Sequence, residues 1–352
     1  MIQKEGMEEK YAGDFRRNSQ SSRVSRGTVD RALHDRGRIR PEVAAEIKKL
    51  ALEMGYQPSR AGKALAMSGK KIKIGVILQY METPFMMQTL KGVQEGKQEV
   101  ESLGGIVQIC EIEKVRPDKV IKLMEDMRRQ GFQGIALTPS ENPELKKVIS
   151  KYCKEYGIPI VMMNADLEDT GRLCFVGQDN YQSGRTAAGL MGEITGGEGQ
   201  VGVITGEVSN PGLKARRNGF TEELQKCYPH IQVAAVCYSH DEEEEAARAT
   251  EQLLVQYPQL TGIYVTGHGV SGVCRALKKV GKDGKIRMIA NDFLEENKKW
   301  LKEGTINFLI GQDARTQGYE PVMILFRLLF DQIKPEKELL HTEIAIKTRY
   351  NI

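Results

Sequence analysis

The sequence predicts an α/β protein in which two doubly wound parallel-sheet subdomains follow a helical N-terminal head. Three observations support this prediction. From residue 72 onward, short β-branched runs alternate with segments of helical periodicity, a pattern typical of parallel sheets with helices on both faces. These runs are too many for one ordinary open sheet, which favours two subdomains. The residues before 72 show helical periodicity alone.

The elements follow one another in a regular order. The strand candidates are KIGVIL, GIVQIC, GIALT, IPIVMM, LCFVG, GQVGVIT, IQVAAVC, GIYVTG, IRMIAND and TINFLIG. Segments between them, such as DKVIKLMEDMRRQG, carry apolar residues at helical spacing. In the head, RPEVAAEIKKLALEMG predicts a helix that Pro41 opens and Gly55 ends. The predicted divisions are a head (1–56), a hinge (57–71) and a body (72–352), with subdomain 1 about 72–177 and 312–336 and subdomain 2 about 178–311 and 337–352.

Positive charge is concentrated in an N-terminal piece that includes most of the head and the whole hinge. Residues 16–71 hold fourteen Lys and Arg against five Asp and Glu, whereas the whole chain has a net charge of only +4. Such a concentration favours a polyanionic partner, and a solvated basic tail is the alternative. No run of apolar residues is long enough to span a membrane, and no secretory signal opens the sequence. The six cysteines are scattered, so we expect a cytoplasmic protein.

The head contains the segment VSRGTVDRALHDRG (residues 24–37), which has the features of a DNA-reading helix. Ser25 can cap the helix, and Val29, Ala32 and Leu33 form its apolar inner face. The residues that would face the DNA groove are Arg26, Gly27 and Thr28, and those that would neutralise phosphates are Arg31, Arg36 and Arg38.

This segment, together with the helix after it and RAGKALA, resembles helices two and three and the hinge helix of the lactose-repressor (LacI/GalR) family. The resemblance implies a helix-turn-helix head that binds operator DNA as a homodimer, with Leu65 wedged into a minor-groove step. One part departs from the family. DFRRNSQSSR (14–23) has no apolar face where a first helix is expected, so we expect that helix to be missing or altered and residues 1–22 to be atypical, with disorder as one interpretation. A compensating pair of frame shifts in the gene is one hypothesis for the departure.

The body resembles the type I periplasmic sugar-binding proteins, the fold that this repressor family uses as its sensor. The landmarks are ETPFMMQTLKGVQEG, VGQDNYQSGRTAA, KARRNGF, MIANDF and IGQDARTQG. The resemblance implies a cleft between the subdomains for a small sugar-like effector. The residues it implies as ligand contacts are Thr83, Phe85, Asn164, Arg216, His240, Thr266, Asp292 and Gln312.

Several of these residues have structural alternatives. Arg216 and Asp292 could form a structural ion pair, Phe85 could be a core aromatic, and His240 could cap a surface helix. Met81, Met86, Met87, Met162 and Met163 lie near the same rim and fit ordinary core packing. GHGVSG (267–272) formally matches a dinucleotide motif but occurs late in the strand array, which argues against that function.

No nucleophile motif or metal-ligand cluster is present, so we predict no enzyme activity, no cofactor and no metal. The two remaining functional alternatives are a ligand-responsive transcription regulator and a solute-binding protein that serves a transporter or chemoreceptor.

Overall fold

The computed structural model describes residues 25–33, 39–53 and 71–352. The chain divides into two compact units, Met1–Lys71 and Ile72–Ile352, and each is described by itself. The atypical segment 1–22, the hinge up to residue 70 and the hinge leucine Leu65 lie outside the described residues. Within the described residues, no helix is long and apolar enough to traverse a bilayer.

The first unit contains two helices, α1 (Arg26–Leu33) and α2 (Pro41–Glu53). Ser25 precedes α1, and its hydroxyl accepts a hydrogen bond from the Thr28 amide over 3.2 Å, as a capping residue does. Val29 and Ala32 of α1 and Ile47 of α2 form a buried apolar cluster. Amphipathic helices need such a shared core, because short isolated helices are marginal in water. Val29 and Ala32 of the predicted inner face are therefore buried, while Gly27 and Arg31 are exposed.

The second unit contains two six-stranded sheets. The strands are β1 (Lys73–Leu78), β2 (Ile106–Glu111), β3 (Gly134–Leu137), β4 (Ile160–Met163), β5 (Cys174–Gln178), β6 (Glu198–Thr205), β7 (His230–Tyr238), β8 (Leu260–Val265), β9 (Arg287–Asn291), β10 (Phe308–Gly311), β11 (Leu339–Thr342) and β12 (Ala345–Lys347). Sheet 1 has the order β11-β5-β4-β3-β1-β2 and sheet 2 the order β12-β10-β9-β8-β6-β7. All neighbouring strands are parallel except β12, which runs antiparallel to β10.

Helices connect the strands. They are α3 (Pro84–Ser102), α4 (Pro117–Arg129), α5 (Pro143–Lys154), α6 (Asn180–Thr195), α7 (Pro211–Cys227), α8 (Glu243–Gln256), α9 (Val270–Lys279), α10 (Glu295–Glu303) and α11 (Ala314–Phe326). A π-helical turn, Arg327–Asp331, follows α11. We call sheet 1 with α3, α4, α5 and α11 lobe 1, and sheet 2 with α6 to α10 lobe 2.

The core of lobe 2 shows that helices cover both faces of its sheet. Ile263 and Val265 of β8 pack in one apolar cluster with residues of α8, α9 and α10. Tyr264, which lies between them in sequence, packs in a different cluster with Phe220 and Leu224 of α7. Successive side chains of a strand point to opposite faces, so the two clusters lie on opposite sides of the sheet.

The predicted body architecture is confirmed as two parallel-sheet α/β lobes, and each of the ten predicted runs contains a strand. Two short strands were not predicted, and one of them corrects a boundary. We assigned 337–352 to subdomain 2, but β11 pairs in parallel with β5 of sheet 1, from Leu339 beside Phe175 to Thr342 beside Gln178. The reason is geometric: the C-terminal segment adds an edge strand to sheet 1 before it crosses to sheet 2.

Three segments of the chain cross between the lobes. The first joins β5 to α6, the second joins β10 to α11, and the third joins β11 to β12. The carboxyl ends of the parallel strands of both lobes face the space beside these crossings, where open α/β sheets place their ligands.

Candidate functional site

A polar cleft lies between the lobes at the carboxyl ends of several strands. It encloses a cavity of about 50 Å³, and a mouth of about 400 Å³ adjoins it. The cavity is lined by Tyr80, Thr83, Phe85, Met86, Asn164, Asn210, Leu213, Arg216, Asp241, Gly267, His268, Asp292, Leu294 and Gln312. Six of the eight predicted contacts are therefore brought together, while Thr266 and His240 lie outside this cavity.

The backbone at the cleft is unusual. Tyr80, Asn164, Asp241 and Asp292 all have positive φ angles, of 63°, 67°, 59° and 74° respectively. Each of them follows the end of a strand by one to three residues. Non-glycine residues seldom adopt this left-handed region, and such strain concentrates at ligand sites. The strand ends are thus bent so that four polar side chains line one cavity.

Asp292 is fixed in the cleft by contacts on both sides. Its amide donates to the Ile310 carbonyl over 2.9 Å, and its own carbonyl accepts from Asn297 Nδ2 over 3.0 Å. Its Oδ1 accepts from Gln312 Nε2 over 3.0 Å. Burial raises the pKa of the Asp292 carboxyl, although the charge of Arg216 opposes that rise. The carboxylate is therefore desolvated and available to accept further hydrogen bonds.

Arg216 is buried, with 3% of its surface exposed. Its Nη1 donates to the Thr266 carbonyl over 2.8 Å and its Nη2 to Gln178 Oε1 over 3.5 Å, whereas its Nε has no hydrogen-bond partner among the described residues. No Arg216–Asp292 ion pair forms within 4.0 Å in the described part of the chain. The predicted structural alternative, a direct ion pair, is not the arrangement seen.

Helix α7 presents Arg216 because it crosses α6 at very short range. A Cβ atom at Gly184 would lie 2.0 Å from the Arg216 carbonyl oxygen, and one at Gly219 would lie 2.1 Å from the Tyr181 carbonyl oxygen. Only glycine permits such an approach of two helix backbones. The glycine of the KARRNGF motif therefore has a structural role that positions the motif's arginine.

Lobe 1 supplies the other wall. Phe85 lines the cavity with 8% of its surface exposed, so it is packed into the core and also faces the cleft. Thr83 directs its hydroxyl to the Tyr80 carbonyl over 2.8 Å. The Asn164 carbonyl accepts from Asn180 Nδ2 over 3.4 Å. Met86 also lines the cavity, whereas Met162 and Met163 are completely buried.

Two predicted contacts have different positions. Thr266 lies behind Arg216, with its hydroxyl bonded to Thr205 Oγ1 over 2.8 Å and its carbonyl bound to the guanidinium. His240 lies at the mouth with its side chain 53% exposed and Nδ1 4.0 Å from Glu207 Oε2. It is not the N-cap of α8, a position that Glu242 occupies.

Asp241 is the most informative residue that the sequence analysis missed. Its Oδ2 accepts from the Glu207 amide over 3.1 Å. Burial raises the pKa of its carboxyl to about 6, partly offset by that hydrogen bond. A Cβ atom at Gly206 would lie 1.9 Å from Asp241 Oδ1, so glycine makes room for the carboxylate. The available signal was a polar residue three positions after β7 and next to His240 in the sequence.

Six further residues that line the cavity were not predicted, namely Tyr80, Asn210, Leu213, Gly267, His268 and Leu294. Four of them share a signal of position, because they follow a strand by two or three residues, namely Tyr80, Gly267, His268 and Leu294. Asn210 lies five residues after β6, and Leu213 lies in the first turn of α7. Asn210 also caps α7, since its Oδ1 accepts from the amides of Gly212 and Leu213 over 2.9 and 3.2 Å.

The glycines of GHGVSG have packing roles. Gly269 precedes α9 with a φ of 99°, and a Cβ atom at Gly272 would lie 2.0 Å from the Glu243 carbonyl oxygen. The close packing of α9 against α8 therefore explains why Gly269 and Gly272 are glycines.

The lobes also touch directly across the cleft. The Glu141 amide of lobe 1 donates to the Ser209 carbonyl of lobe 2 over 2.8 Å, and Lys214 pairs with the Glu141 carboxylate over 2.8 Å. Lys114 of lobe 1 pairs with Glu242 of lobe 2 over 3.5 Å. The structure is therefore a closed arrangement whose side-chain links are exposed and individually weak.

One side chain joins the crossings to the cleft. Gln178 donates from Nε2 to the Gly311 carbonyl over 2.9 Å and to the Glu343 carbonyl over 3.4 Å, while its Oε1 accepts from Arg216. Gln178 lies at the first crossing, Gly311 at the second and Glu343 at the third. The Gln178 side chain therefore connects all three crossing segments with Arg216 in the cleft.

The sequence profile of the periplasmic binding protein domain matches residues 74–332, which include nearly all of β1, the elements from β2 to α11 and every residue that lines the cavity and its mouth. The chain belongs to this family. Two curated relatives show the range of periplasmic-binding-protein-domain proteins that it resembles. The D-allose-binding periplasmic protein of Escherichia coli is 26% identical over 69% of this chain and 80% of its own length. The ribose operon repressor of Halalkalibacterium halodurans is 24% identical over 74% of each chain.

Solved structures of sugar-binding proteins have a similar fold. A solute-binding protein of an ABC transporter from Burkholderia graminis, in complex with D-arabinose, is 26% identical with a TM-score of 0.74. The similarity covers 80% of this chain and 96% of that one. A glucose-galactose binding protein from Geobacillus stearothermophilus has a TM-score of 0.73 and covers 80% of this chain, at 21% identity.

Proposed function

We propose that the protein is a transcription regulator of the lactose-repressor type that senses a sugar or a similar small polar molecule in the cleft. Within this proposal it acts in the cytoplasm as a homodimer on operator DNA. The observation that carries the sensing part is the cleft itself. Asp292 and Arg216 are buried in one cavity without forming an ion pair, and Arg216 Nε has no partner among the described residues.

Such a site suits a polyol. Each sugar hydroxyl both donates and accepts, so the Asp292 carboxylate can accept from one hydroxyl while the Arg216 guanidinium donates to its neighbour. Gln312 and Asn164 offer further amide groups, and Phe85 offers an aromatic face for the C–H surface of a ring. The relatives support this ligand class, since allose and arabinose appear in the names of two of them.

The head supports the regulatory part. Helices α1 and α2 share a buried core, Ser25 begins α1, and Gly27 and Arg31 are exposed on it. Relatives named as regulators include the ribose operon repressor and MalR of Streptococcus pneumoniae. The alternative is a solute-binding protein for a transporter or chemoreceptor, which the D-allose-binding relative favours.

The mechanism of the proposal is a population shift. A ligand that contacts both lobes binds the closed form more tightly than the open form and so favours closure. Because Gln178 and Gln312 link the cleft to the crossing segments, closure would reorient the lobes and alter how a dimer holds its two heads.

The sensing part is tested by thermal-shift and calorimetric titration of the full chain with pentoses, hexoses, polyols and their phosphates. We expect at least one of these ligands to raise Tm, and we expect Asp292→Ala to abolish that rise. A rise that persists unchanged in Asp292→Ala would place the ligand elsewhere.

The regulatory part is tested by retention of the full chain on DNA resin at low salt. We expect Arg31→Glu to reduce retention and the exposed-site control Arg287→Glu to leave it unchanged, because phosphate contacts dominate such affinity. A version that begins at Ile72 should not be retained. Equal retention of all four proteins would favour the solute-binding alternative.

A further inference from the structure

The border between the cleft and its mouth carries an excess of negative charge. We call Tyr80, Glu82, Glu207 and Asp241 the acidic subsite. Tyr80 and Asp241 line both the cavity and its mouth, and Glu82 and Glu207 line the mouth. Tyr80 and Asp241 therefore face the same cavity as Asp292 and Arg216, and Glu82 and Glu207 extend the acidic subsite into the mouth.

We propose that the acidic subsite binds the ammonium group of an amine-bearing polyol, such as an amino sugar, whose hydroxyls Asp292 and Arg216 hold. The inference rests on the proposed sensing function and narrows its ligand class. It predicts that the ligand is a cation, whereas a general polyol site would take neutral sugars equally well.

The Asp241 carboxylate is held in place by the backbone around it. Consecutive residues His240 and Asp241 have positive φ angles of 49° and 59°, which bend the chain after β7. Gly206 leaves room for Oδ1, and the Glu207 amide binds Oδ2. A strained backbone and a glycine niche that hold one buried carboxylate indicate a binding group rather than a solvated surface acid.

Tyr80 gives an independent indication. Only 3% of its surface is exposed, and its hydroxyl makes no hydrogen bond within 3.5 Å among the described residues, although the Ser209 hydroxyl lies close enough to affect it. Burial and the charges of Asp241, Glu207 and Glu82 raise the pKa of Tyr80, so the phenol lies among these carboxylates. A buried phenol without a partner is costly unless a ligand completes its hydrogen bonding. A phenol oxygen can accept from an ammonium group.

Among the described residues, no lysine or arginine lies within 4.0 Å of a carboxylate of the acidic subsite, and the one histidine that does is His240, whose Nδ1 lies 4.0 Å from Glu207 Oε2. Lys114 pairs with Glu242 over 3.5 Å and Arg248 with Glu245 over 3.3 Å. Arg216 gives its Nη1 to the Thr266 carbonyl. His268 also lines the cavity, and its Nε2 is 3.8 Å from Glu243 Oε1.

An anionic ligand would bring a second negative charge next to the carboxylates of the acidic subsite and be repelled by them, which argues against uronic acids. A metal ion is a poor alternative, because within the described residues no three His, Cys, Asp or Glu side chains are grouped so that they could hold one ion together.

The test is isothermal titration calorimetry of the full chain at about pH 7 with matched sugars. The probes are D-glucose and D-galactose, their 2-amino-2-deoxy forms, the N-acetylated forms of these amino sugars, and the uronic acids. We expect one amino sugar to bind about tenfold more tightly than its neutral parent, because hydrogen bonds between charged groups are the stronger ones. N-acetylation, which removes the positive charge, should abolish the preference.

Two substitutions test whether the acidic subsite causes the preference for an amino sugar over its neutral parent. Asp241→Asn keeps an acceptor oxygen and tolerates the left-handed backbone, and we expect it to bring the ratio of the two Kd values close to one. Tyr80→Phe should reduce the ratio by about threefold. The matched control is Asp169→Asn, which also has a positive φ, of 61°, but whose side chain is 88% exposed on lobe 1, so the ratio should not change.

The outcomes separate the two proposals. Equal or tighter binding of a neutral or anionic sugar would overturn the inference and leave the sensing function supported. A preference for amines that Asp241→Asn retains would also overturn it. Failure of every sugar in both experiments would overturn the sensing function and the inference together.

Discussion

Gln312 donates a hydrogen bond from its Nε2 to Asp292 Oδ1 over 3.0 Å, and its Oε1 accepts one from Gln317 Nε2, also over 3.0 Å. Gln312 lies on a crossing segment, Asp292 belongs to lobe 2 and Gln317 belongs to α11 of lobe 1. The carboxylate proposed to hold the ligand is therefore linked through one amide side chain to the opposite lobe. A change at Asp292 can reach the connection between the lobes over two hydrogen bonds.

Asp292→Asn should weaken ligand binding without destabilising the fold. Asparagine tolerates the positive φ and can still accept from Gln312, but it lacks the charge that strengthens hydrogen bonds to hydroxyls. We expect Kd for the sugar identified by thermal shift to rise about tenfold or more. Because burial disfavours the ionised Asp292, the free energy of unfolding should stay the same or increase. Calorimetry and urea unfolding test the two parts, and a large loss of stability with unchanged Kd would contradict this assignment.

Gln178→Ala should destabilise the protein by about 1–3 kcal/mol, because it removes a buried hydrogen bond to the Gly311 carbonyl, a partly buried one to the Glu343 carbonyl and the one that Arg216 Nη2 donates. Urea unfolding measures the change. The control is Gln182→Ala, whose exposed side chain bonds only to Arg185, and this variant should change stability by less than about 0.5 kcal/mol. Equal effects of the two substitutions would show that Gln178 is not a link between the crossing segments.

Gly219→Ala and Gly189→Ala should have opposite effects, although both residues are helical. A Cβ atom at Gly219 meets the Tyr181 carbonyl oxygen at 2.1 Å, so α6 and α7 must separate at a cost of about 1–3 kcal/mol. A Cβ atom at Gly189 has nothing within 4 Å, so alanine there should stabilise the protein by about 0.5–1 kcal/mol. Thermal unfolding of the two variants decides the matter, and Gly219→Ala should also weaken ligand binding by displacing Arg216.

Asp241 should make stability depend on pH between about 4 and 7. Its carboxyl has a pKa of about 6 in the folded protein against 3.8 in the unfolded chain, so the folded state holds the proton more tightly. This contribution to stability is complete below pH 4 and is lost as the pH rises through 6. Asp241→Asn removes the dependence.

The measurement for this prediction is the difference in unfolding free energy between Asp241→Asn and the unmodified protein, without ligand. The advantage of the variant should grow by at most about 3 kcal/mol between pH 4 and pH 7. Glu82, Glu207 and His268 face Asp241 and remain in both proteins, so their contributions largely cancel in the difference. A difference that is constant with pH would contradict the raised pKa.

Much of the body could be predicted from sequence, because buried parallel strands are continuous β-branched runs that differ plainly from helical spacing. The strands β11 and β12 could not. LLHT and AIK are short, and they become strands because β5 and β10 offer free edges in the folded structure. Strand formation at a sheet edge depends on the partner more than on the sequence of the strand itself.

Some cleft residues could be named from the sequence through the family resemblance. Arg216 of KARRNGF and Gln312 of IGQDARTQG were named in this way, and both line the cavity. The turn after β7 was harder. His240 and Asp241 are neighbours, yet only Asp241 enters the cavity, because two successive left-handed residues turn the chain there. Sequence alone does not specify such a turn, so the prediction named His240, whose side chain lies at the mouth, and not Asp241.

The last strand of each sheet in chain order comes from a single short segment, residues 339–347. During synthesis, each sheet therefore has only five of its six strands until that segment has left the ribosome. The two lobes must then complete their sheets almost together, late in translation. A nascent chain arrested before Leu339 would expose the open sides of β5 and β10 at once, as two adjacent templates for pairing with foreign strands.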